Sequence, residues 1–480
     1  MRALTIIFAL FTSHLPVLAL ERKATHHIAV TPHVLTLTAL EYRSPTQPSS
    51  AYLSKRHNSI ASVSDISRQD GLDPLAFSEQ DLLTLGGRVY MTNVTLGGLD
   101  YTLVIDTGSS DTWIASSSYQ CLSRLSQAFL SQSTCGFSTL YSPESSPTYT
   151  ERIKDGFEVH YTDGEFLSGD LGQEDLILGG LRLTQIIGVA ERGFWLGDGL
   201  SSGLMGLAYS GLANGVGSGG LDYTSVIFSL FNSNSIPPVF SLALSRPTRA
   251  NPTTGGLLAF GGVPNIAHDD DWASVPITPR VEGAFAFYSV PVDGFVVYTL
   301  DSTSDSGPRR ARARAPKRRR LAFTNTTATT MEDGGEGGAR ASSAPIQMTI
   351  DSGATNMYLP TPTADLIASL FAPRAAFNPS TGLYSVPCTA VPPRVGVVIA
   401  GQTFFVNPVD LVVQIGVEIV GTAKGKGKAK GKGKTQGLCV LAVQRQEDGD
   451  AVLGDAWLKN VVAVFDVGDN EMRFASREYY

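Results

Sequence analysis

One short stretch is written twice in this chain, and the duplication limits what the chain can fold into. The first copy is Tyr101-Thr-Leu-Val-Ile-Asp106-Thr-Gly-Ser-Ser-Asp-Thr-Trp113-Ile-Ala, and the second is Ile346-Gln-Met-Thr-Ile-Asp351-Ser-Gly-Ala-Thr-Asn-Met-Tyr358-Leu-Pro. Each is an apolar strand ending in Asp-(Thr or Ser)-Gly. Each then passes through a turn of small, hydroxyl-rich residues and resumes as a strand carrying an aromatic. The copies lie 245 residues apart, too far for a solenoid unit, so the pattern is that of a duplicated lobe. A second echo follows the first. Gly206 of Leu204-Met205-Gly206 comes 100 residues after Asp106, and Gly454 of Val452-Leu453-Gly454 comes 103 after Asp351. Two apolar residues and a glycine predict a buried strand that stops where another backbone passes close.

These residues resemble the pepsin-like aspartic endopeptidases, fungal secreted members included, whose halves each carry Asp-(Thr or Ser)-Gly and a later apolar-apolar-Gly. The resemblance runs from about Leu85 to Ala475. It implies an all-β, bilobal fold: two related β-barrel-like lobes with the active-site cleft between them and a few short helices. It also implies that Asp106 and Asp351 form a carboxyl pair. Peptide hydrolysis without a metal needs an activated water and a protonated leaving nitrogen. Two adjacent carboxyls supply both, because like charges cannot both ionise cheaply and one keeps a proton. Thr107 and Ser352 can hydrogen-bond across the two loops, and Gly108 and Gly353 let the turns approach. Ser109 offers a hydroxyl to the first loop where the second has Ala354. Asp caps turns commonly, but two in matched contexts point to the pair.

Further along the first half, Val159-His160-Tyr161-Thr162-Asp163-Gly164-Glu165 resembles the family's flap, a hairpin that closes over substrate. Tyr161 falls on the flap tyrosine, Thr162 stands where the family usually has Gly, and Trp113 is in place to support Tyr161. The family prefers large apolar residues on both sides of the cut bond. Fungal relatives that accept lysine before the cut resemble this chain in carrying an acid at Asp163. Two other patterns are weak. Gly199-Leu-Ser201-Ser-Gly203 matches a nucleophile elbow, but only His268 follows it and no helix is signalled after it. Gly215-Val-Gly217-Ser-Gly-Gly220 matches a dinucleotide fingerprint outside any βαβ unit.

Composition sets the frame for these motifs. With 49 glycines, 26 prolines and only 17% charged residues, the chain reads as globular and turn-rich, with few helical periodicities. Two short amphipathic helices are predicted over Asp222–Phe231 and Thr363–Phe371, and joining strands at Val239–Leu244 and Gly255–Gly262. Residues 1–19 read as a secretory signal, with Arg2, an apolar core at Ala3–Phe11 and a small-residue site at Val17-Leu18-Ala19. That core is short of the roughly 20 residues a membrane span needs. Residues 20–84 read as a pro-segment and N-terminal lead. They hold four of the seven histidines and the dibasic pair Lys55-Arg56. A cut is expected after Arg56 or nearer Leu85, and by resemblance Lys23 or Lys55 would pair with the cleft carboxylates. Residues 85–275 then form the N-terminal lobe and 276–480 the C-terminal lobe.

Cys121 and Cys135 are near neighbours, and Cys388 and Cys439 lie together in the second half. An even number in a secreted chain predicts two intralobe disulfides, with three connectivities formally open. No histidine sits at metal-ligand spacing, and no metal or cofactor is expected. Asn93 and Asn325 open glycosylation sequons. Two low-complexity insertions interrupt the second half. Residues 301–345 carry eight basic residues from Arg309 to Arg320, and residues 424–434 carry six lysines. Both are expected to be loops. Setting those charges aside takes the formal net charge from −7 to −21, a self-repulsion that acid would relieve. Nucleic-acid binding lacks the interleaved aromatics. The expected partners are protein or peptide substrates and the chain's own pro-segment as inhibitor. No membrane anchor is expected, the protein is expected to be a monomer, and its destination is extracellular or vacuolar. The competing function is a catalytically inactive relative that binds peptides, and a serine esterase using Ser201 is a third reading.

Overall fold

A computed structural model describes residues 28–39, 89–161, 164–213, 221, 223–234, 236–246, 254–280, 283–299, 319–324, 327–331, 345–379, 381–420, 434–446 and 451–477. Strands dominate, as the alternating and β-branched segments require. Strand β1 is Val34–Ala39, β2 Tyr90–Leu96, β3 Leu99–Asp106, β4 Thr112–Cys121 and β5 Thr150–His160. They are followed by β6 Phe166–Leu178, β7 Leu181–Phe194, β8 Gly203–Gly206, β9 Val239–Leu244 and β10 Thr254–Phe260. The hairpin β2–β3 turns at Gly97 and Gly98, both at positive φ, a conformation that glycine adopts without strain.

All ten belong to one 13-stranded sheet in the order β5-β6-β7-β4-β8-β3-β2-β1-β10-β9. The sheet continues into Val461–Asp466, Glu471–Ser476 and Trp272–Pro276. The last described strands therefore pair with β9 and with Trp272–Pro276, from the middle of the chain. Phe465 and Phe240 stack at 4.4 Å where Val461–Asp466 meets β9.

Beside it, a 5-stranded sheet carries the second copy of the repeat. Ile346–Ile350 runs parallel to Ala451–Leu453, which is antiparallel to Met357–Pro360. The first copy has the same connectivity: β3 runs parallel to β8, and β8 is antiparallel to β4. The aromatics of the two copies occupy matching registers, Trp113 opposite Leu204 and Tyr358 opposite Val452. Both distal glycines sit at close backbone crossings. A Cβ on Gly206 would lie 2.6 Å from the Ser110 carbonyl carbon, and one on Gly454 would lie 2.2 Å from the Ala354 oxygen.

The two helices appear at Val226–Asn234 and Thr361–Ser369, shifted by a few residues from the periodic pattern. The first buries the expected face, Val226, Ile227, Leu230 and Phe231, whereas the second is turned toward Ala364, Ile367 and Ala368, leaving Leu366 and Leu370 half-buried. Disulfides join Cys121 to Cys135 and Cys388 to Cys439.

In three places the chain is more ordered than its composition foretold. Within the N-terminal lead, residues 28–39 enter the main sheet as β1 and its approach. Within the 301–345 insertion, Arg319–Thr324 and Thr327–Met331 form a hairpin whose first strand pairs with Gly294–Thr299. An edge strand with open N–H and C=O groups accepts any extended partner, whatever its composition. The Lys-rich insertion ends in strand Lys434–Leu441, with Lys434 opposite Val420. Asn325 and the remainder of both insertions lie outside the described residues, as do the signal, Lys23, Lys55-Arg56 and the Gly215–Gly220 run. Asn93 is exposed on β2, its amide oxygen receiving the Thr102 hydroxyl at 2.9 Å.

Candidate active site

The two Asp-Thr/Ser-Gly turns meet at the ends of parallel strand pairs, which bring buried apolar backbone up to a polar floor. β3 ends at Asp106 opposite Gly206, and Ile350, just before Asp351, lies opposite Leu453. The turns grip each other reciprocally. The Thr107 N–H donates to Ser352 Oγ at 3.1 Å, and the Ser352 N–H donates to Thr107 Oγ1 at 2.9 Å. Each hydroxyl then donates across to the other strand, Thr107 Oγ1 to the Ile350 carbonyl at 3.0 Å and Ser352 Oγ to the Ile105 carbonyl at 3.2 Å. Thr107 and Ser352 are buried, so these four bonds work in a low-dielectric interior where losing one leaves an orphaned polar group.

Gly108 and Gly353 face the opposite carboxyl. A Cβ on Gly108 would stand 2.6 Å from the Asp351 carboxylate, and one on Gly353 would stand 2.5 Å from Asp106 Oδ1. Any side chain there would force the carboxyls apart. Asp106 is buried and receives the Gly108 N–H at 2.7 Å and the Ser109 hydroxyl. Asp351 receives the Gly353 N–H at 2.7 Å. Burial, then the charge of Asp106, push the Asp351 carboxyl well above the ordinary range. The backbone amides of Gly353 and Ala354 pull the other way, and the direct hydrogen bond with Asp106 adds to the rise. The arrangement is a pair of carboxyls close enough to resist full ionisation.

Tyr161 sits at the turn between β5 and β6. The flap turn is pinned by Tyr161 N–H to the Glu165 carbonyl at 2.8 Å and Gly164 N–H to the Tyr161 carbonyl at 3.0 Å. Gly164 has φ +86°. The Trp113 indole N–H donates to Tyr161 Oη at 2.8 Å. Burial first, then the charge of Asp106, raise the Tyr161 phenol well above its usual range, so it stays a neutral hydroxyl. Thr162 and Asp163 lie outside the described residues.

A profile of the eukaryotic aspartyl protease family matches residues 89–309 and 324–477. The chain belongs to that family. It is similar to a probable aspartic-type endopeptidase of Aspergillus fumigatus, 31% identical across 93% of this chain and 88% of the relative. Rhizopuspepsin-4 of Rhizopus niveus is 27% identical across 78% and 74%. Secreted aspartic protease 8 of Candida albicans is 24% identical across 82% and 77%.

Around the aspartyl protease motifs the structure adds residues that carry no motif. Trp195 meets Trp113 edge-on at 4.9 Å and Tyr161 at 5.9 Å, and it stacks on Phe137. The Arg124 guanidinium rests on the flap turn, 3.0 Å from where a Gly164 Cβ would be. Its loop is closed by the Cys121–Cys135 disulfide and by the Ser123 N–H to Ala128 carbonyl bond at 2.7 Å. Nothing in the local sequence marks either residue, because both contacts are made between segments far apart in the chain.

The other sequence patterns resolve differently. Ser201 is fully buried, and its hydroxyl donates to Asp198 Oδ2 at 2.8 Å, in a turn where Asp198 also receives the Leu200 and Ser201 N–H groups. His268 is engaged with the Asp269 carbonyl and the Trp272 ring, so the elbow pattern is a capped turn. His160 is exposed and contacts Glu158 Oε1 at 2.9 Å. Among the described residues, Asp155, Asp170 and Glu191 cluster at metal-ligating distances. Asp170 already accepts the Asp155 N–H at 2.7 Å, and Arg192 pairs with Asp155 at 3.5 Å. Among the described residues no helix is long and apolar enough to cross a membrane.

Proposed function

We propose that this chain is a secreted endopeptidase that cuts peptide bonds in acid, using Asp106 and Asp351 as a proton-sharing pair. The observation that carries the reading is the reciprocal approach of the two turns, each glycine open to the opposite carboxyl. Aspartic proteases are the standing example of such a pair, so the chemistry is the family's and the residue assignment is ours. Asp351 holds the shared proton, in keeping with its raised pKa. The anion then rests on Asp106, where Ser109 and the Gly108 amide donate to it. A water between them loses a proton to Asp106 and attacks the peptide carbonyl carbon. Asp351 gives its proton to the carbonyl oxygen. The proton taken by Asp106 passes to the leaving nitrogen as the C–N bond breaks, and one hydroxyl of the tetrahedral diol returns its proton to Asp351 as the carbonyl re-forms. Tyr161 and Gly164 cover the substrate backbone, and Trp113 holds the Tyr161 hydroxyl in place. Water exclusion under that cover strengthens each charge interaction in the cleft.

The substrates are peptides with large apolar residues on both sides of the cut. A lysine before the cut is accepted through Asp163, a reading that stands on sequence alone. Comparing kcat/KM for matched Lys and Leu peptides, in wild type and Asp163→Thr, tests it: an unchanged ratio rejects the role. The central test is digestion of haemoglobin in acid with and without pepstatin. Cleavage that pepstatin abolishes is expected. An intact, folded protein that binds pepstatin yet cuts nothing would identify a peptide-binding relative instead.

A further inference from the structure

Of the eight large apolar side chains that stand exposed among the described residues, three fall within six positions of one loop: Leu125 at 45%, Phe129 at 75% and Leu130 at 39%. The loop runs from Cys121 to Cys135, which are both buried and joined as a disulfide. A single exposed apolar residue is ordinary, but a cluster marks a surface that meets another molecule.

The loop holds this cluster on a fixed backbone. The Ser123 N–H donates to the Ala128 carbonyl at 2.7 Å, the Gln127 N–H to the Ser123 carbonyl at 3.0 Å and the Leu130 N–H to the Cys121 carbonyl at 2.8 Å. Leu122 and Phe129 pair as an antiparallel bridge, with Leu122 buried and Phe129 exposed. Side chains on a backbone that is already ordered lose little entropy when a partner covers them. Arg124 is the one charged residue between the two cysteines, so the surface suits an apolar partner rather than an ionic one.

The loop's neighbours point to that partner. The Leu122 N–H donates to the Gly193 carbonyl at 2.8 Å, and Gly193 lies opposite Leu167 on β6, the strand that leaves the flap turn. Arg124 sets its guanidinium carbon 3.0 Å from where a Gly164 Cβ would stand, at the flap turn itself. The apolar cluster is therefore continuous with the rim of the cleft.

We propose that the Cys121–Cys135 loop is a second docking surface for polypeptide substrate. It takes an apolar, unfolded segment of the same chain whose cleavable bond lies in the cleft, and it rests on the peptidase reading given above. Leu125, Phe129 and Leu130 are its anchors. A long polypeptide held there presents the rest of itself to the cleft at raised effective concentration. A peptide too short to reach the loop gains nothing.

The test compares the wild-type secreted protein with the double change Leu125→Ser and Phe129→Ser. Both side chains are exposed, and circular dichroism with thermal melts should show the fold unchanged. The first readout is binding. Fluorescein-labelled, reduced and carboxymethylated lactalbumin is titrated in acid with pepstatin present and followed by anisotropy. This arm needs no turnover. The double variant should bind at least about fivefold more weakly, the scale of losing one or two apolar anchors. The second readout is kinetic. A short peptide that fills only the cleft should be cut equally by both proteins, while KM for the carboxymethylated lactalbumin should rise at least about fivefold in the variant with kcat unchanged. Equal binding of the long polypeptide by both proteins, or binding by neither, would overturn the inference. So would equal losses on the short and long substrates, the mark of a distorted cleft. A lipid surface is the rival occupant: sedimentation with phosphatidylcholine vesicles that depends on Phe129, with polypeptide binding unaltered, would also overturn it. Phe129-dependent binding by a wild-type protein that cuts neither substrate would remove the peptidase reading and still support the docking surface.

Discussion

Asp351 is half-buried and Asp410 buried, and their surroundings drive them in opposite directions. Asp410 is 4% exposed and faces two cations. Arg246 reaches its Oδ2 at 2.6 Å and Lys459 its Oδ1 at 3.1 Å. Burial alone would raise its pKa, but the charges and hydrogen bonds of Lys459 and Arg246 outweigh burial and hold it below the ordinary value. Asp351 has another carboxyl where Asp410 has cations, so burial and like charge add and its pKa rises. Burial sets how strongly neighbours are felt, and the sign of the neighbours decides the outcome. One carboxyl is built to stay charged in acid and to tie Arg246, between β9 and β10, to the second half of the chain. The other is built to keep a proton.

The largest expected effect comes from neutralising the pair. Asp106→Asn and Asp351→Asn should each lower kcat by at least about 100-fold, since neither amide can take up or release a proton. Circular dichroism should show the fold retained. Either variant keeping more than a few per cent of wild-type turnover would break the contrast at its functional end.

Next in size is Asp410→Asn, which removes the carboxylate that the buried Arg246 and Lys459 share. Losing one member of a buried ion cluster costs about 3–5 kcal/mol, so the urea midpoint at neutral pH should fall clearly. A midpoint within error of wild type would show that the cluster contributes little.

Repeating those urea titrations across pH sharpens the comparison through its sign. Asp410 has a lowered pKa in the fold, so its stabilisation is present above the unfolded carboxylate value and is lost as pH falls through the lowered one. The gap between wild type and Asp410→Asn should close in strong acid. Asp351 has a raised pKa, so its contribution is complete below the unfolded value and is lost as pH rises through the raised one. Asp351→Asn should therefore gain on wild type toward neutral pH. Gaps that keep one size at every pH would refute both directions.

The smallest effect belongs to Ala354. Ser109 donates to Asp106, and Ala354 has no side-chain donor for Asp351. Ala354→Ser adds a donor that favours the charged form. The acid limb of the kcat/KM profile should move to lower pH by about one unit at most, the worth of one hydrogen bond. The shift belongs to the pair as a whole. An acid limb that stays in place would reject this account.

The pair was legible because a duplicated motif writes its own geometry. Asp-Thr/Ser-Gly with a later apolar-apolar-Gly specifies a strand, a turn and a parallel neighbour, and the copies differ little. Tyr161 was legible through its hairpin turn. The Arg246–Asp410–Lys459 cluster was not, since its members are isolated polar residues widely separated in the chain, with no shared pattern until the fold gathers them. Trp195 and Arg124 were missed for the same reason. Strand β1 was not foretold, because composition measures whether a segment can bury a core by itself, and β1 needs only a ladder on each side.

By itself the sequence determined the two-lobed, strand-rich architecture and the two aspartates, because these follow from local periodicity and from the repetition of one turn. Only the tertiary structure decided that the first and last described strands share one sheet, and that one aspartate meets cations while another meets a carboxyl. Main-chain ladders and buried charges are satisfied by whatever the fold brings within about 3 Å, and that proximity is not a property of any stretch of sequence.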